Sequence, residues 1–168
     1  LIMRDLLDAT VERLFADLAS PAALLACENS TWPPAMWDAV EESGVALALV
    51  PEALGGAGGS WADVCGVIRL AGRFGLPLPL PETVLANWVL GAAGLAPASG
   101  AATIAAGGAL RLHDGMVSGY VCDVAWGGST PSLVAVAAGQ VLLLDAGAAQ
   151  CRPAANIAAE PRATLEFV

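Results

Sequence analysis

Residues 50–63 constrain the fold most, because Pro51 and four glycines separate an apolar run from a helix that opens at Ser60. The order of an apolar segment, a glycine cluster and a helix is typical of Rossmann and P-loop nucleotide sites. The spacing does not fit, since a G-x-G-x-x-G series beginning at Gly56 meets Trp61 where its last glycine should stand. A Walker loop also needs a lysine, and the chain has none. We therefore predict a turn whose glycines permit positive φ, not a phosphate-binding loop.

Charge and composition exclude several classes of function. The chain has 168 residues, enough for one or two domains with a real hydrophobic core. Its net charge is −9, so binding to nucleic acid, which requires a basic patch, is not expected. Because lysine is absent, Schiff-base chemistry of the kind that lysine amines support is excluded as well.

The cysteine and histidine residues give no sign of a metal site or of a thiol-dependent reaction. The four cysteines are widely separated and form no C-x-x-C pair: Cys27, Cys65, Cys122 and Cys151. With no signal peptide at the start of the sequence, they are expected to be reduced, buried thiols in a cytoplasmic protein. The single histidine, His113, precedes an Asp-Gly pair that predicts a hairpin, so we interpret it as a turn residue. No cluster has the spacing of zinc ligands, and no metal site is predicted.

Residues 83–110 form an uncharged stretch that is long enough to cross a bilayer. Pro97 and five glycines interrupt this stretch, and much of its apolar content is alanine, which contributes little transfer energy. A helix followed by a loop and a buried strand explains it better, so no membrane span is predicted.

The first half of the chain shows the periodicity of amphipathic helices. One apolar stripe, with spacings of three and four, is formed by Leu6, Leu7, Val11, Leu14, Phe15 and Leu18. Pro33 and Pro34 are predicted to occupy the first turn of a second helix. Ser30 or Thr31 would cap that helix, and Gly44 stands where its C-terminal cap is expected.

Two more helices are predicted on either side of a proline-rich connector. The first opens at a capping box, Ser60-x-x-Asp63, and stops at Gly75. The Leu-Pro repeat of residues 76–81 predicts an extended connector, because each proline removes a backbone donor and disfavours helix before it. The second helix is expected at about residues 82–93.

From residue 101 onward the pattern changes to short apolar or alternating runs. The runs lie at residues 101–106, 109–112, 116–124, 132–138, 141–145 and 164–168, separated by Gly, Pro, Asn and Asp. Turns at Asp114-Gly115 and Ala138-Gly139 predict hairpins, so this half is typical of an antiparallel sheet or barrel. The chain is therefore predicted to be an α+β protein, with an all-helical domain at residues 1–98 and a small β domain at residues 99–168.

Residues 37–81 resemble the amino-terminal domain of acyl-CoA dehydrogenases in the order of their elements. A helix bearing Trp37 leads through an apolar turn into the Pro-Glu-x-x-Gly-Gly element that begins at Pro51, and Asp63 follows three residues into the next helix. The hairpin sequence of residues 112–119 is similar to one in that family's middle β domain. The resemblance covers essentially the whole chain and is most specific at the Pro-Glu-x-x-Gly-Gly element.

The resemblance implies a flavoenzyme. Members of the family hold FAD and oxidise the Cα–Cβ bond of an acyl-CoA thioester, with a glutamate that removes the α proton while the β hydrogen leaves as hydride to the flavin. Hydrogen bonds to the thioester carbonyl make the α proton acidic enough to be removed. Electrons then pass to an electron-transferring flavoprotein, and a homo- or hetero-oligomer is expected. The catalytic glutamate belongs to a carboxy-terminal helical bundle that we expect this chain to lack, so no catalytic residue is predicted here and the chain alone is expected to be inactive.

The flavin motifs of the family's middle domain are degraded in this sequence. Residues 103–108 stand where the first motif is expected, without its acidic residue and proline, and residues 125–130 stand near the second. Trp126 is the candidate flavin contact, because an indole at a strand end can pack on an isoalloxazine ring; the alternative is a tryptophan that fills the barrel mouth or a domain interface. The further cofactor-binding candidates are Gly127, Gly128 and Ser129. Glu52 is expected to fix its loop rather than to act as a base.

Two other functions stay open at this point. A non-catalytic subunit could contribute these two domains to a heteromeric acyl-CoA dehydrogenase, or the same scaffold could carry a flavin monooxygenase or oxidase. The residues present do not separate these chemistries, because the discriminating groups are expected in the carboxy-terminal bundle.

Overall fold

The computed structural model describes residues 2–27 and 32–168. Its first half is helical, with α1 (Ile2–Leu18), α2 (Pro21–Cys27), α3 (Pro34–Glu42), α4 (Trp61–Arg73) and α5 (Leu80–Ala92), and with short 3₁₀ turns at Val45–Leu47 and Glu52–Leu54. The predicted helical block is therefore confirmed. The predicted caps of α3, Ser30 and Thr31, lie outside the described residues, and Pro34 is the first residue of that helix.

One apolar core holds these helices together. The predicted stripe of α1 contributes Val11, Leu14, Phe15 and Leu18 to it, while the Leu6 and Leu7 side chains lie outside the described part. Helix α4 packs against α1 and contributes Val64, Val67 and Leu70, all fully buried. Each such side chain stabilises the fold by about 1.5–3 kcal/mol when it leaves water, so this core is the main source of stability in the helical half.

The glycine cluster forms a tight loop that folds back on the residues before it. The backbone N–H groups of Gly58 and Gly59 donate to the carbonyls of Val50 and Ala48, both at 2.8 Å. A Cβ atom at Gly56 would clash with the Val50 carbonyl, so only glycine fits there. These amides are used within the loop, and a 3₁₀ turn rather than a strand precedes it. The loop is therefore the predicted turn, and it lacks the preceding strand of a phosphate-binding loop.

The ends of the central helices follow the predicted signals, with one exception. The backbone N–H of Ser60 donates to Asp63 Oδ2 at 3.1 Å, so the capping box is confirmed, and Gly75 follows α4 in a left-handed conformation. Helix α5 begins at Leu80, two residues earlier than predicted. Pro81 lies in its first turn, where a missing N–H costs no intrahelical hydrogen bond.

The second half is built of strands in two sheets. The strands are β1 (Ala102–Ile104), β2 (Gly108–His113), β3 (Met116–Ala125), β4 (Ser132–Ala137), β5 (Gln140–Asp145), β6 (Gln150–Ala155) and β7 (Pro161–Phe167). One sheet has the order β1-β4-β5 and the other β2-β3-β7-β6. The α+β class and the mainly antiparallel pairing are confirmed. The barrel is not closed, and β1 pairs with β4 in parallel.

Both predicted hairpins are present, and one strand was not predicted. Asp114 and Gly115 turn β2 into β3 with positive φ at both residues, and Ala138 and Gly139 do the same between β4 and β5. This is the geometry of type I′ turns, whose twist matches that of the flanking strands. Strand β6 was missed because it is an exposed edge strand that carries Pro153, so it shows no alternation of apolar and polar residues.

Helix α5 joins the helical half to the β half through buried hydrogen bonds. The Thr83 hydroxyl donates to the carbonyl of Ala102 at 2.8 Å and accepts from its N–H at 3.1 Å. Asn87 donates to the carbonyl of Ala46 and accepts from the N–H of Ala98. Because these polar groups are buried, leaving one unpaired would cost about 1–3 kcal/mol, so the contact is specific. The exact domain boundary between residues 98 and 99 stays a prediction.

Two predictions about single features have different outcomes. All four cysteines are free, but only Cys27 is partly buried, whereas Cys65, Cys122 and Cys151 are exposed on α4, β3 and β6. The expectation of buried thiols is therefore wrong. The uncharged stretch at residues 83–110 forms most of α5, a loop and the buried strand β1, as predicted. Among the described helices, none combines the length and the apolar character that spanning a bilayer requires.

Candidate functional site

The two segments that the resemblance assigns to flavin motifs are joined directly in the fold. The buried Thr103 hydroxyl, on β1, donates a 2.6 Å hydrogen bond to the carbonyl of Ala125, the last residue of β3. The two segments belong to different sheets, so this bond links the sheets at the point where the segments meet. Sequence spacing alone does not predict this contact.

A cavity of about 570 Å³, which we call the α5 cavity, lies where these segments meet helix α5. Its lining comes from the start of α5, the end of β1 and the loop after it, the end of β3 and the start of β7: Pro81, Glu82, Leu85, Ile104, Ala106, Gly107, Cys122, Asp123, Ala125 and Arg162. A β-bulge shifts the register between Val121 and Val124 of β3 and puts Asp123 in a left-handed conformation. Bulges of this kind redirect side chains next to functional sites, and here the bulge turns Cys122 and Asp123 toward the cavity wall.

The ionisable groups of the α5 cavity are Glu82, Asp123, Arg162 and the Cys122 thiol. Burial raises the pKa of the Glu82 carboxyl above its ordinary value. The backbone N–H of Glu82 lowers that pKa by a smaller amount, the negative charge of Glu160 raises it, and the Arg162 guanidinium lowers it. Glu82 is therefore a partly buried carboxyl that holds its proton more tightly than an exposed one.

Arg162 is held in place by a short network at the loop between β6 and β7. Its Nη2 donates to Glu160 Oε2 at 2.7 Å, and Asn156 Nδ2 donates to the same oxygen at 2.8 Å. Arg162 Nε is buried and has no hydrogen-bond partner among the described residues. Within the described residues, the guanidinium therefore has a buried Nε–H that no acceptor satisfies.

A second cavity has a volume of about 640 Å³. Glu160 lines this second cavity, and its ion-pair partner Arg162 lines the α5 cavity. We call it the tryptophan cavity; it is lined by Leu24, Cys27, Trp32, Gly72, Gly75, Leu76, Pro77, Trp126, Ser129, Ala158, Ala159, Glu160 and Pro161. Its lining includes two tryptophan rings and one charged residue, Glu160, whereas the α5 cavity has three charged residues and no aromatic ring.

Trp126, the candidate flavin contact, belongs to the tryptophan cavity. It directly follows Ala125, but its backbone is left-handed (φ +57°), and its ring is 9 % exposed. The ring lies edge-on to Trp32 with centroids 6.5 Å apart. Trp126 Nε1 is buried without a hydrogen-bond partner in the described part of the chain. The indole therefore lies between the helical and β halves. This is the position expected if Trp126 fills a domain interface instead of contacting a flavin.

The other three candidates lie in the turn after Trp126 but do not form one site. Ser129 lines the tryptophan cavity, and its N–H donates to the Trp126 carbonyl at 2.8 Å. A Cβ at Gly127 would lie 3.0 Å from the Val124 Cβ, and one at Gly128 would lie 3.2 Å from the sulfur of Cys151. Neither glycine lines either cavity. Trp126 and Ser129 therefore line one cavity, whereas Gly127 and Gly128 pack against neighbouring side chains.

Two further residues considered in the sequence lie away from both cavities. His113 ends β2 directly before its hairpin turn, as predicted, with Nδ1 3.1 Å from Asp114 Oδ2. The Glu52 side chain is exposed and makes no hydrogen bond or ion pair within residues 2–27 and 32–168, so backbone bonds rather than this carboxylate hold its loop. Within the same residues, no group of three His, Cys, Asp or Glu side chains could hold a metal ion.

Sequence reasoning missed Glu82, Asp123 and Arg162. Glu82 was expected only as the start of a helix, and nothing in its neighbours signals that it faces a cavity. Asp123 acquires its position from a bulge that the alternation of β3 does not reveal. What these three residues share is their proximity to the two degraded motif segments. This proximity arises only in the folded chain, so no signal of it is present in the sequence.

Comparison with known proteins identifies the family. The model of the acyl-CoA dehydrogenase amino-terminal domain matches residues 4–97. A relative from Mycobacterium tuberculosis, the acyl-CoA dehydrogenase IpdE2, is 38% identical over 128 residues, which are 72% of this chain and 40% of the relative. The chain belongs to the acyl-CoA dehydrogenase family. It matches less than half of the length of that relative.

Solved structures share the fold across nearly the whole chain. A Tcur3481-Tcur3483 steroid ACAD variant superposes with a TM-score of 0.83 at 19% identity, covering 99% of this chain and 55% of that one. The ChsE4-ChsE5 complex from Mycobacterium tuberculosis gives a TM-score of 0.75 at 16% identity, covering 98% and 53%. The HsaA monooxygenase from M. tuberculosis gives 0.71 at 15% identity, covering 98% and 50%. At these identities the likeness establishes the fold and leaves the reaction open.

Proposed function

We propose that this chain is the amino-terminal and middle part of an FAD-dependent acyl-CoA dehydrogenase that oxidises the Cα–Cβ bond of an acyl-CoA thioester. The substrate is an acyl-CoA, the electron acceptor is an electron-transferring flavoprotein or a similar protein, and the enzyme works as an oligomer in the cytoplasm. The base that removes the α proton comes from a part of the protein outside this chain. Alone, the chain has no activity.

The observation that carries the proposal is the convergence of both flavin-motif segments on one cavity. Ile104, Ala106 and Gly107 line the α5 cavity from the first segment, and Ala125 lines it from the second. The Thr103–Ala125 hydrogen bond fixes the two segments to each other. Segments that are degraded in sequence are thus still arranged around a common space, which supports a ligand site there.

The residues present fit the ring of a flavin. Ala106, Gly107 and Ala125 have small side chains, so a flat ring can approach the backbone closely, and a Cβ at Gly107 would meet open space. Arg162 also lines the cavity, so its guanidinium places a positive charge beside the polar edge of such a ring. When bound, FAD supplies the hydride acceptor of the reaction. The residues of this chain would hold and orient the ring and exclude water, while the tethered β1 and β3 ends keep the cavity open.

Trp126, Gly127, Gly128 and Ser129 remain proposed cofactor-binding residues from the sequence, and they define a competing position for the ring. A flavin in the tryptophan cavity would contact Trp126 and Ser129 instead of Ala106 and Ala125. We favour the α5 cavity because both motif segments line it, whereas only the second reaches the tryptophan cavity. The competing position predicts that loss of the Trp126 indole abolishes flavin binding.

Two alternative functions keep specific support. The complex of two named proteins among the solved structures makes a non-catalytic subunit of a heteromeric dehydrogenase a second candidate. The likeness to a monooxygenase supports a flavin monooxygenase or oxidase on the same scaffold. Both share the fold with the dehydrogenase proposal and differ in what happens at the flavin.

A visible absorption spectrum of the full-length protein, recorded with and without acyl-CoA in the absence of oxygen, tests the proposal. A dehydrogenase shows a flavin band that acyl-CoA bleaches. A flavin that is bleached only by an external reductant indicates the monooxygenase or oxidase. A colourless protein that does not take up added FAD contradicts the proposal and favours the non-catalytic subunit.

A further inference from the structure

Glu82 is a carboxyl in the α5 cavity to which neither the resemblance nor the proposed function gives a role. It lies in the first turn of α5 and shares the cavity wall with the flavin-motif residues Ile104 and Ala125. Its side chain is partly buried, and it is the carboxyl among the described helices that lines this cavity. Withdrawing a carboxyl from water is unfavourable unless it stays neutral or finds a partner, so its position calls for an explanation.

The groups that face Glu82 do not turn it into a conventional ion pair. Arg162, on β7, already donates to Glu160 at 2.7 Å, and Glu160 adds a negative charge nearby. Asp123 and Cys122, on β3, are the other titratable groups of the cavity, and residues 104–107 contribute none. Burial raises the pKa of Glu82, which favours the neutral carboxylic acid in the folded protein.

A neutral carboxyl in a cavity wall has a definite chemical use. Its O–H donates a hydrogen bond to an uncharged acceptor, above all to a carbonyl oxygen, and in a partly dry cavity such a bond is stronger than in water. Once the carboxyl is ionised it can only accept, and it repels the same carbonyl oxygen. A ligand with a carbonyl at this point therefore distinguishes the two protonation states of Glu82.

We propose that Glu82 is the recognition residue of the α5 cavity and donates a hydrogen bond to a carbonyl oxygen of the bound ligand. The inference rests on the proposed function, which supplies two sources of such a carbonyl: the pyrimidine ring of the flavin and the thioester of an acyl-CoA. Either source gives binding that depends on the proton of Glu82. The two sources differ in which ligand loses affinity when the proton leaves.

The test is a pair of binding titrations on the full-length protein over a pH series that begins below 4.5, the ordinary pKa of a glutamate, and ends near neutrality. FAD is titrated into the FAD-free protein by the change in flavin fluorescence, and an acyl-CoA is titrated into the FAD-loaded protein by the change in flavin absorbance. The variant Glu82→Gln keeps a neutral donor at every pH, while Glu82→Leu removes the donor. Glu41→Gln, at an exposed position of α3, is the matched control for replacing a glutamate by glutamine.

In the wild type we expect the affinity for one of the two ligands to fall by about tenfold as the pH rises. Glu82→Gln should make that affinity independent of Glu82 ionisation and flatten the profile, Glu82→Leu should be weak at all pH values, and Glu41→Gln should follow the wild type. A profile that changes for FAD assigns the bond to the flavin carbonyl, and one that changes only for acyl-CoA assigns it to the thioester.

Identical pH profiles of wild type and Glu82→Gln with both ligands would overturn the inference while leaving the proposed function intact. A wild-type protein that binds neither FAD nor acyl-CoA contradicts the proposed function itself, and the inference falls with it. Circular dichroism of each variant separates loss of binding from loss of folding.

Discussion

The α5 cavity and the tryptophan cavity share one ion pair, Glu160–Arg162, but differ in the chemistry of their walls. The α5 cavity carries two carboxyls, a guanidinium and no aromatic ring, whereas the tryptophan cavity has one carboxyl and the rings of Trp32 and Trp126. Ala125 and Trp126 are consecutive in sequence, yet one lines each cavity, and the backbone at Trp126 is left-handed. A conspicuous aromatic residue beside a motif therefore need not line the same cavity as the motif residue that precedes it.

The largest expected effect separates packing from ligand binding at Trp126. Trp126→Ala removes a buried indole and should lower the free energy of unfolding by about 3–5 kcal/mol. If the flavin occupies the α5 cavity, the folded fraction of the variant still binds FAD with the affinity of the wild type. Thermal unfolding and FAD titration below the melting temperature measure the two effects. A fall in FAD affinity larger than the loss of folded protein would indicate that the flavin ring binds in the tryptophan cavity.

Two threonines offer a matched comparison of the cavities. Thr103→Val removes the bond to the Ala125 carbonyl beside the α5 cavity and should cost about 1–3 kcal/mol of stability. Thr130→Val removes a bond to the Trp126 carbonyl, which keeps two backbone donors, and should cost about 1 kcal/mol. Only Thr103→Val should weaken FAD binding, because only it releases the two motif segments from each other. Equal loss of FAD binding in both variants would contradict the assignment of the α5 cavity.

Filling the α5 cavity should block the ligand with little effect on folding. Ala106 is exposed and lines the cavity, so Ala106→Leu adds bulk there without overpacking the core. We expect a loss of FAD affinity of about tenfold or more, which corresponds to at least about 1.4 kcal/mol. Ala109→Leu, at an exposed position of β2 that does not line the cavity, is the control. Unchanged FAD affinity in Ala106→Leu would contradict the proposal that FAD binds in the α5 cavity.

The smallest expected effect concerns the pH dependence of stability. The pKa of Glu82 is raised in the folded protein, so the stability that its neutral form contributes is fully present below the unfolded pKa and is lost as the pH rises through the folded pKa. The wild type should therefore lose stability relative to Glu82→Gln over that window, by at most about 1.4 kcal/mol per pH unit. Chemical denaturation of both proteins across this pH range measures the difference. Parallel curves would mean that Glu82 is not withdrawn from water.

The helical half could be predicted from sequence because its signals are local. The stripe of α1, the capping box at Ser60 and the glycine after α4 each act within one or two helical turns. The start of α5 was predicted two residues late, since proline was taken to end the connector when it can also occupy a first helical turn.

The β half and the site depend on contacts between distant segments, and these were predicted less completely. The hairpin turns carry their own signal, but the split into two sheets, the parallel β1–β4 pair and the exposed edge strand β6 do not. The resemblance assigned two flavin-motif segments along the chain, and that assignment stays a prediction. It could not tell that Glu82 and Arg162 complete the cavity, because α5 and β7 reach it only through the tertiary fold.

A structure of the full-length protein with FAD bound tests the central claim most directly, since the two cavities are distinguishable at ordinary resolution. We predict that the isoalloxazine ring lies between residues 104–107 and Ala125, within hydrogen-bond reach of Glu82 or Arg162. A ring stacked against Trp126 and hydrogen-bonded to Ser129 would contradict the account.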